Sequence, residues 1–371
     1  MDDQWQWGDE TIERERTWIV KSILPGILPV STSVPIRQGY VGVPSGLRVR
    51  IKGTGENRVA RMILKTGHGL TRTERPAVTS LEAAELILDS TPYRIEKRRY
   101  FKDDWAVDIY EGKLEGLIKA EFEFRYEDQP LVMPPWMEGQ VEVTGKVNNE
   151  LLARLAYDFD ESPGAEALFA MLTDVPHRIV VTGEPDSGRT AIVERLAGEF
   201  PEVFQTVPEA RRIIIEQVGV SPPTDDPAAL KRFYRAIGDI QRSNETVAIH
   251  QAIRDGKRAV LMVGGTMDGA MYLGGDARNL ERIYMTHSAS EYARYDTVFI
   301  TTAETWSRAS WRGRNAYRLA SQPPPDDITA FARHGIFAWS GHPNNEIIAN
   351  FDSWEEKYAA IREAVLRAIG L

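Results

Sequence analysis

Charged residues recur two positions apart along the N-terminal part of the chain. Glu13 and Glu15 form one pair, Arg48 and Arg50 a second, Lys97 and Arg99 a third, and Glu121 and Glu123 a fourth; Arg72 and Glu74 share the spacing with mixed sign. In a β-strand, residues i and i+2 point to the same face. Apolar residues alternate with these charges: Leu47, Val49 and Ile51; Ala120, Phe122 and Phe124; Val141 and Val143 around Glu142. An apolar face that packs on a core leaves the charges together on the opposite face. A solvated sheet accounts for any one such strand, but gives no reason for acids and bases to sort by strand. If the charged faces close into a barrel, each enclosed ion is costly unless paired or liganded. A polyanion with a divalent cation satisfies both sets. Carboxylate oxygens suit a hard ion such as Mg2+, and arginine and lysine grip phosphate oxygens, arginine often bidentately.

A second stretch, GEPDSGRT at 183–190, follows the apolar run HRIVV and precedes AIVERLAGEF, which has helical spacing. This is the strand–loop–helix setting of a phosphate-binding loop, G-x-x-x-x-G-K-[ST], with Arg189 at the lysine position. Backbone N–H groups of such a loop and the helix N-terminus cradle phosphates. Gly183, Asp186, Ser187, Gly188, Arg189 and Thr190 are therefore candidate nucleotide-binding residues, with Thr190 placed to reach a metal. Arginine keeps the charge, but its planar fork does not replace an ammonium freely. Arg308, Arg312 and Arg314 suit either a phosphate lid or a solvated basic loop. His287, His334 and His342 have no metal-ligand spacing.

Two kinds of segment must position these groups. From Glu13 to about Thr144, LRVRI, RMILK, WAVDIY, KAEFEF and VEVT alternate as half-buried strands do, with turn material such as GTGEN and EGKLEG between them. SLEAAELILDS breaks this pattern with helical spacing and a serine start signal. The expectation is a predominantly antiparallel sheet or barrel with a few helices. From about His177 the runs HRIVV, RAVLMV and DTVFITT are almost continuously apolar, as in strands covered on both faces. Helical stretches separate them, which indicates a parallel α/β sheet. Pro163 and Gly164 in DFDESPGAEA mark the boundary, giving two domains, 1–160 and 161–371, as a chain of 371 residues suggests.

Composition narrows the function classes. A net charge of −9 argues against a general nucleic-acid or membrane-surface binder, so any anion site is a local basic concentration in an acidic background. Cysteine is absent, which excludes disulfides, thiol nucleophiles and cysteine-based zinc sites. The start, MDDQWQWGDE, lacks the basic-then-apolar pattern of a signal peptide. No apolar run approaches a membrane span. The expectation is a soluble, cytoplasmic protein.

TIERERTWIV, IRQGY, LRVRI, LKTGHGLTRTE, IEKRRY, WAVDIYEGKLEGLIKAEFEF and VEVT, in that order, resemble the landmarks of the CYTH domain, the triphosphate tunnel metalloenzyme family, over residues 10–160. The resemblance implies an α+β unit built on an eight-stranded antiparallel β tunnel that holds a triphosphate end-on. It implies that Glu13, Glu15, Glu121, Glu123 and Glu142 hold Mg2+ or Mn2+, and that Arg48, Arg50, Lys65, Arg72, Lys97 and Arg99 hold phosphates. Members hydrolyse inorganic triphosphate, thiamine triphosphate or nucleoside triphosphates, and some make cyclic AMP. The matching reaction is metal-assisted attack of water on a terminal phosphorus. Glu13 or Glu15 orients the water, while cations such as Lys65 and Arg99 stabilise the transferred group. Two positions depart from the family: Thr17 replaces the lysine of E-x-E-x-K, and Pro76 replaces a carboxylate.

VPEARRIIIEQVG, the long helix with Gln241 and Glu245, YDTVFI and the ending NNEIIANFDSWEEKYAAIREAVLRAIG resemble an AAA-type P-loop ATPase/kinase-like domain over about 175–371. This implies a P-loop NTPase parallel sheet flanked by helices, α/β in class, that binds ATP or another nucleotide. Relatives often carry D-R-G-x-x-D after the strand matching RAVLMV. Here Val263 takes the first Asp position and Asp268 the last, so a Mg2+-orienting carboxylate is missing. Asp268 and Glu209 either bind metal or a substrate hydroxyl, or are ordinary carboxylates. The expected function is a metal-dependent triphosphatase joined to a nucleotide-binding unit. The alternatives are a small-molecule kinase or a nucleotide-binding regulatory protein. The expected partner is a phosphorylated small molecule or nucleotide, with no specific nucleic acid and no membrane.

Overall fold

The computed structural model describes residues 11–41, 47–66, 71–126, 129–184, 187–223, 225–273, 277–284, 286–302, 328–349 and 351–371; at 11–13, 65–66, 71–73 and 328–332 it describes the backbone alone. Two compact units divide between Val175 and Pro176. Among the described residues no helix is long and apolar enough to cross a membrane.

The strands of the first unit are β1 (Thr11–Val20), β2 (Ser22–Ile23), β3 (Val34–Val41), β4 (Leu47–Lys52), β5 (Val59–Thr66), β6 (Thr71–Val78), β7 (Arg94–Lys102), β8 (Trp105–Glu111), β9 (Ile118–Glu123), β10 (Met137–Glu138) and β11 (Val141–Glu142). Its helices are α1 (Leu81–Ser90), α2 (Asn149–Asp158) and α3 (Ala165–Thr173). The order β1-β6-β5-β4-β3-β7-β8-β9, with β9 pairing back onto β1, closes an eight-stranded antiparallel barrel. Closure leaves no open edge in the ring. The short β11 lies beside β1.

Alternate apolar residues of β1, β4, β7, β8 and β9 pack outside this barrel. Ser80 caps α1, its side chain accepting from the Ala83 N–H. Ala84 and Leu88 of that helix pack on Val49, Ile51 and Ala60. Trp18, Val20, Tyr100, Trp105, Val107, Ala120 and Phe122 form a second outer cluster, covered by Trp136 and Met137. The Pro163–Gly164 turn falls between α2 and α3, and α3 packs on β1, so both helices belong to the first unit.

The second unit holds a five-stranded parallel sheet: β12 (His177–Gly183), β13 (Phe204–Val207), β14 (Ala259–Val263), β15 (Thr297–Thr301) and β16 (Asn345–Ile348), in the order β13-β14-β12-β15-β16. Its helices are α4 (Arg189–Glu199), α5 (Ala210–Arg212, continued by a π-turn), α6 (Pro227–Arg254), α7 (Ala277–Tyr284), α8 (Ser288–Tyr292), α9 (Ile328–Trp339) and α10 (Trp354–Ala368). A 3-10 helix spans Thr266–Leu273. Ile179, Val181 and Leu261 pack under Ile192 of α4 and Ile361 of α10, while Val180, Val260 and Met262 pack under Ala252 of α6 and Trp339 of α9. Both sheet faces are covered, which is why these strands read as unbroken apolar runs.

Candidate functional site

The barrel has a charged interior. Trp18, Val49, Tyr100, Val107, Ala120 and Phe122 face out. Alternation therefore turns inward Glu15 and Thr17 of β1, Arg48 and Arg50 of β4, Lys97 and Arg99 of β7, Asp108 and Tyr110 of β8, and Lys119, Glu121 and Glu123 of β9.

Asp108, fully buried, is the hub of this interior. Its carboxylate accepts from Arg99 Nε and Nη2, each at 2.7 Å, and from Lys97 Nζ at 2.5 Å. Arg99 Nη2 also donates to Glu121 Oε2 at 2.6 Å, and Lys119 Nζ donates to Glu121 Oε1. Burial alone would raise both carboxyls. Arg99 and Lys97 instead hold Asp108 below its ordinary value, and Lys119 with Arg99 holds Glu121 well below. Burial pushes Lys97 down to about 7 against the pull of Asp108. The Lys97 ammonium and the Tyr110 hydroxyl both donate to Asn149 Oδ1 of α2.

The two arginines of β4 differ from this saturated set. Arg48 Nη2 donates to Glu74 Oε1 at 3.3 Å, but its buried Nε has no hydrogen-bond partner among the described residues. Arg50 makes no ion pair among the described residues. Burial, together with Arg48 and Arg99, pushes its guanidinium down to about 10.

The acids of β1 and β9 meet across the strand pair. Glu15 is directly opposite Glu123, and Thr17 opposite Glu121. Such Cβ atoms lie about 4.5–5.5 Å apart, and like charges there repel. Their oxygen-only chemistry fits a hard divalent cation between Glu15 and Glu123. Among the described residues no group of three acids or histidines is assembled as a metal site, Glu121 being engaged by Arg99 and Lys119. The backbone register sets Glu13 opposite Arg72 and Lys65 opposite Glu74; the side chains of Glu13, Lys65 and Arg72 lie outside the described residues.

Glu142 is not brought to this interior. It lies opposite Trp18, and Arg16 Nε donates to its Oε1 at 2.8 Å while the Arg16 guanidinium covers the Trp18 ring. Trp18 faces outward, so the Arg16–Glu142 pair belongs to the outer surface, and the Arg16 hydrogen bond holds Glu142 below its ordinary value. The alternation of VEVT misleads because β11 has only two residues, and Val141 is itself exposed.

Asp108 and Lys119 escape a search for same-sign doublets, because each alternates with a different residue type. Lys119–Glu121 repeats the mixed spacing of Arg72–Glu74, which was the available signal. Opposite Thr17, Glu121 takes an ammonium partner from Lys119 of its own strand.

In the second unit, the loop between β12 and α4 depends on its glycines. At Gly183 (φ +141) a Cβ would fall 1.9 Å from the Thr301 carbonyl oxygen. At Gly188 (φ +87), which precedes α4, it would fall 2.4 Å from the Trp354 ring. No other residue fits either position. Ser187 is buried and accepts from Thr301 Oγ1 at 2.7 Å; Thr190 is half-buried in the first turn of α4. Asp186, Arg308, Arg312 and Arg314 lie outside the described residues.

Arg189 is buried between two acids. Nη1 donates to Asp268 Oδ2 at 3.2 Å and Nη2 to Glu209 Oε1 at 3.4 Å. Asp268 Oδ1 accepts from Thr182 Oγ1 at 2.7 Å and from Trp339 Nε1 at 2.8 Å. Burial raises the Asp268 carboxyl despite Arg189. A small pocket of about 20 Å3, room for little more than a water molecule, opens beside Asp268 and Glu209, lined also by Arg211, Tyr234, Gln241 and Tyr272. Behind it Glu245 Oε1 accepts from Gln241 Nε2 at 2.9 Å and Oε2 from Arg294 at 2.6 Å, which fixes the cavity wall to the core. His342 is structural, bonded to the Tyr295 carbonyl.

Fold and sites together define a protein of two parts: a closed antiparallel barrel with a charged lumen, then a parallel α/β unit with a glycine-bounded phosphate loop. Residues 178–357 match the family model described as an AAA domain. In its N-terminal part the chain is similar to the solved structure of the inorganic triphosphatase NE1496, at 29% identity over 38% of this chain and 93% of that one, with a TM-score of 0.29. It is similar to the NadR protein in complex with NR at 13% identity, over 55% of this chain and 52% of that one, with a TM-score of 0.40. It is also similar to shikimate kinase from Acinetobacter baumannii in complex with shikimate at 12% identity, over 53% and 94% of the two chains, with a TM-score of 0.31. No curated protein gives a significant match.

Proposed function

We propose that the barrel hydrolyses the terminal phosphoanhydride of a triphosphate, inorganic or carried by thiamine or a nucleoside, with Mg2+ or Mn2+. The observation that carries this reading is Arg50, an inward-facing arginine with no ion-pair partner among the described residues, next to Arg48 and Arg99. Such a cation is costly to keep in a closed barrel without an anion, and a polyphosphate is the anion that several arginines grip at once.

Arg48, Arg50, Lys97 and Arg99, joined by Lys65 and Arg72, orient the phosphate oxygens and stabilise the charge that develops on the leaving phosphate. Glu15 and Glu123, with Glu13, would hold the divalent ion, which when bound neutralises charge and lowers the pKa of a nearby water. Glu13 or Glu15 orients that water and accepts its proton as the oxygen bonds to phosphorus and the anhydride P–O bond breaks. The test is a panel of tripolyphosphate, ATP, GTP and thiamine triphosphate with Mg2+ or Mn2+. Phosphate release by the wild type, and its loss in a folded Glu15→Gln, Glu123→Gln variant, is the expected result. Undiminished release by that variant removes the assignment, and cyclic nucleotide among the products replaces hydrolase by cyclase.

The second unit is read as a nucleotide-binding module, for ATP or another nucleotide, at Gly183–Thr190.

A further inference from the structure

The phosphate loop keeps its only arginine in an ion triad. The side chains of Arg189, Asp268 and Glu209 are 9%, 14% and 19% exposed, so the three charges meet largely out of water. Asp268 is held from several directions: by Thr182 at the end of β12, by Trp339 of α9, and by close approach to Gly264. A Cβ at Gly264 (φ +74) would fall 2.4 Å from Asp268 Oδ2, so only glycine lets the carboxylate lie there. Strand β14 ends in Val263 and supplies no acid of its own. Asp268 sets one against the same strand end from the following 3-10 helix.

We infer that Arg189 exchanges between the Asp268–Glu209 pair and the phosphate of an incoming nucleotide, with Asp268 as the positioning residue that holds it until phosphate arrives. This rests on reading Gly183–Thr190 as a phosphate-binding loop. The Arg189 N–H groups that Asp268 and Glu209 accept from are the ones a phosphate would take, so a polyphosphate competes with Asp268 for them. A planar fork suits the exchange, because it offers donors to two partners at once.

The groups around Asp268 are Arg189 on α4, Glu209 after β13, Thr182 on β12, Trp339 on α9, Tyr272 on the 3-10 helix and Tyr284 on α7. Arg189 and Glu209 are charged, and Arg211, which lines the same pocket and acts on Glu209, adds a second cation nearby. Protonating Asp268, which burial favours, loosens its hold on Arg189. Nucleotide affinity therefore rises as pH falls toward the carboxylate range, through a component that Asp268→Asn lacks.

The experiment is calorimetric titration of the full chain with ADP, chelator present, for the wild type, Asp268→Asn, Glu209→Gln and Arg189→Ala. The substitutions all lie in the second unit, so any ADP bound by the barrel is common to the series. At about pH 8, Asp268→Asn and Glu209→Gln should each bind ADP about fivefold more tightly than wild type, the scale of one weak ion pair. Arg189→Ala should bind more weakly. The gap between wild type and Asp268→Asn should narrow as pH falls, a trend that a purely structural role would not produce. Wild-type binding that neither acid substitution tightens overturns the exchange while leaving the phosphate loop in place. If Asp268→Asn does not fold, Glu209→Gln decides by the same criterion. Absence of ADP binding in every protein overturns the phosphate-loop reading and the exchange together.

Discussion

Replacing Arg50 by methionine separates a binding role from a structural one. Burial and the neighbouring Arg48 and Arg99 push the Arg50 guanidinium down to about 10. At 1.36 kcal/mol per decade that is ~3 kcal/mol against the charged form inside the folded barrel. Methionine keeps much of the length and removes the charge. Without ligand, Arg50→Met should therefore melt at the wild-type temperature or above it, by about 2–4 °C for each kcal/mol recovered. With polyphosphate the sign reverses. A hydrogen bond to a charged group contributes about 1.5–3 kcal/mol, so the tripolyphosphate Kd should rise roughly 10- to 150-fold. Differential scanning fluorimetry reads the first effect and isothermal calorimetry the second. A variant that melts several degrees lower yet binds tripolyphosphate unchanged would show that Arg50 is part of the scaffold, and the argument from its burial would be wrong.

Asp108→Asn should act in the opposite way: it strips Arg99 and Lys97 of their shared carboxylate, costs about 3–5 kcal/mol, and lowers the melting temperature by roughly 10 °C. Lys97, pushed down to about 7 by burial, is charged below that pH and neutral above it. Bound polyphosphate favours the charged form, so affinity should fall roughly tenfold between pH 6 and 8 by calorimetry, with Lys97→Met flattening the profile. Glu142→Ala removes only a half-exposed pair with Arg16, so melting temperature and phosphate release should stay within about 0.5 kcal/mol of wild type; loss of activity would return Glu142 to the metal set.

Much of this was legible in the sequence, for local reasons. Period-two alternation set Arg48, Arg50, Lys97, Arg99 and Glu121 on one face, and the barrel turns that face inward. Gly183 and Gly188 were legible from the G-x-x-x-x-G spacing between strand and helix, and the structure shows the steric demand for glycine at both positions. Non-local pairing was less accessible. Closure depends on β9 finding β1, a register that no single strand encodes. Asp108 reads as an isolated acid between apolar neighbours until Arg99 is seen across the β7–β8 pair. Glu142 continued an apparent alternation, but β11 is too short to carry it inward. Arg189 and Asp268 are 79 residues apart, and only folding shows that they pair.

The most direct test follows tripolyphosphate by phosphorus NMR in the presence of Mg2+ and the full chain. A triphosphatase barrel converts it to pyrophosphate and orthophosphate in equal amounts, and Arg50→Met slows that conversion while remaining folded. An unchanged spectrum with wild-type protein, or equal rates for the two proteins, would contradict the assignment of the barrel.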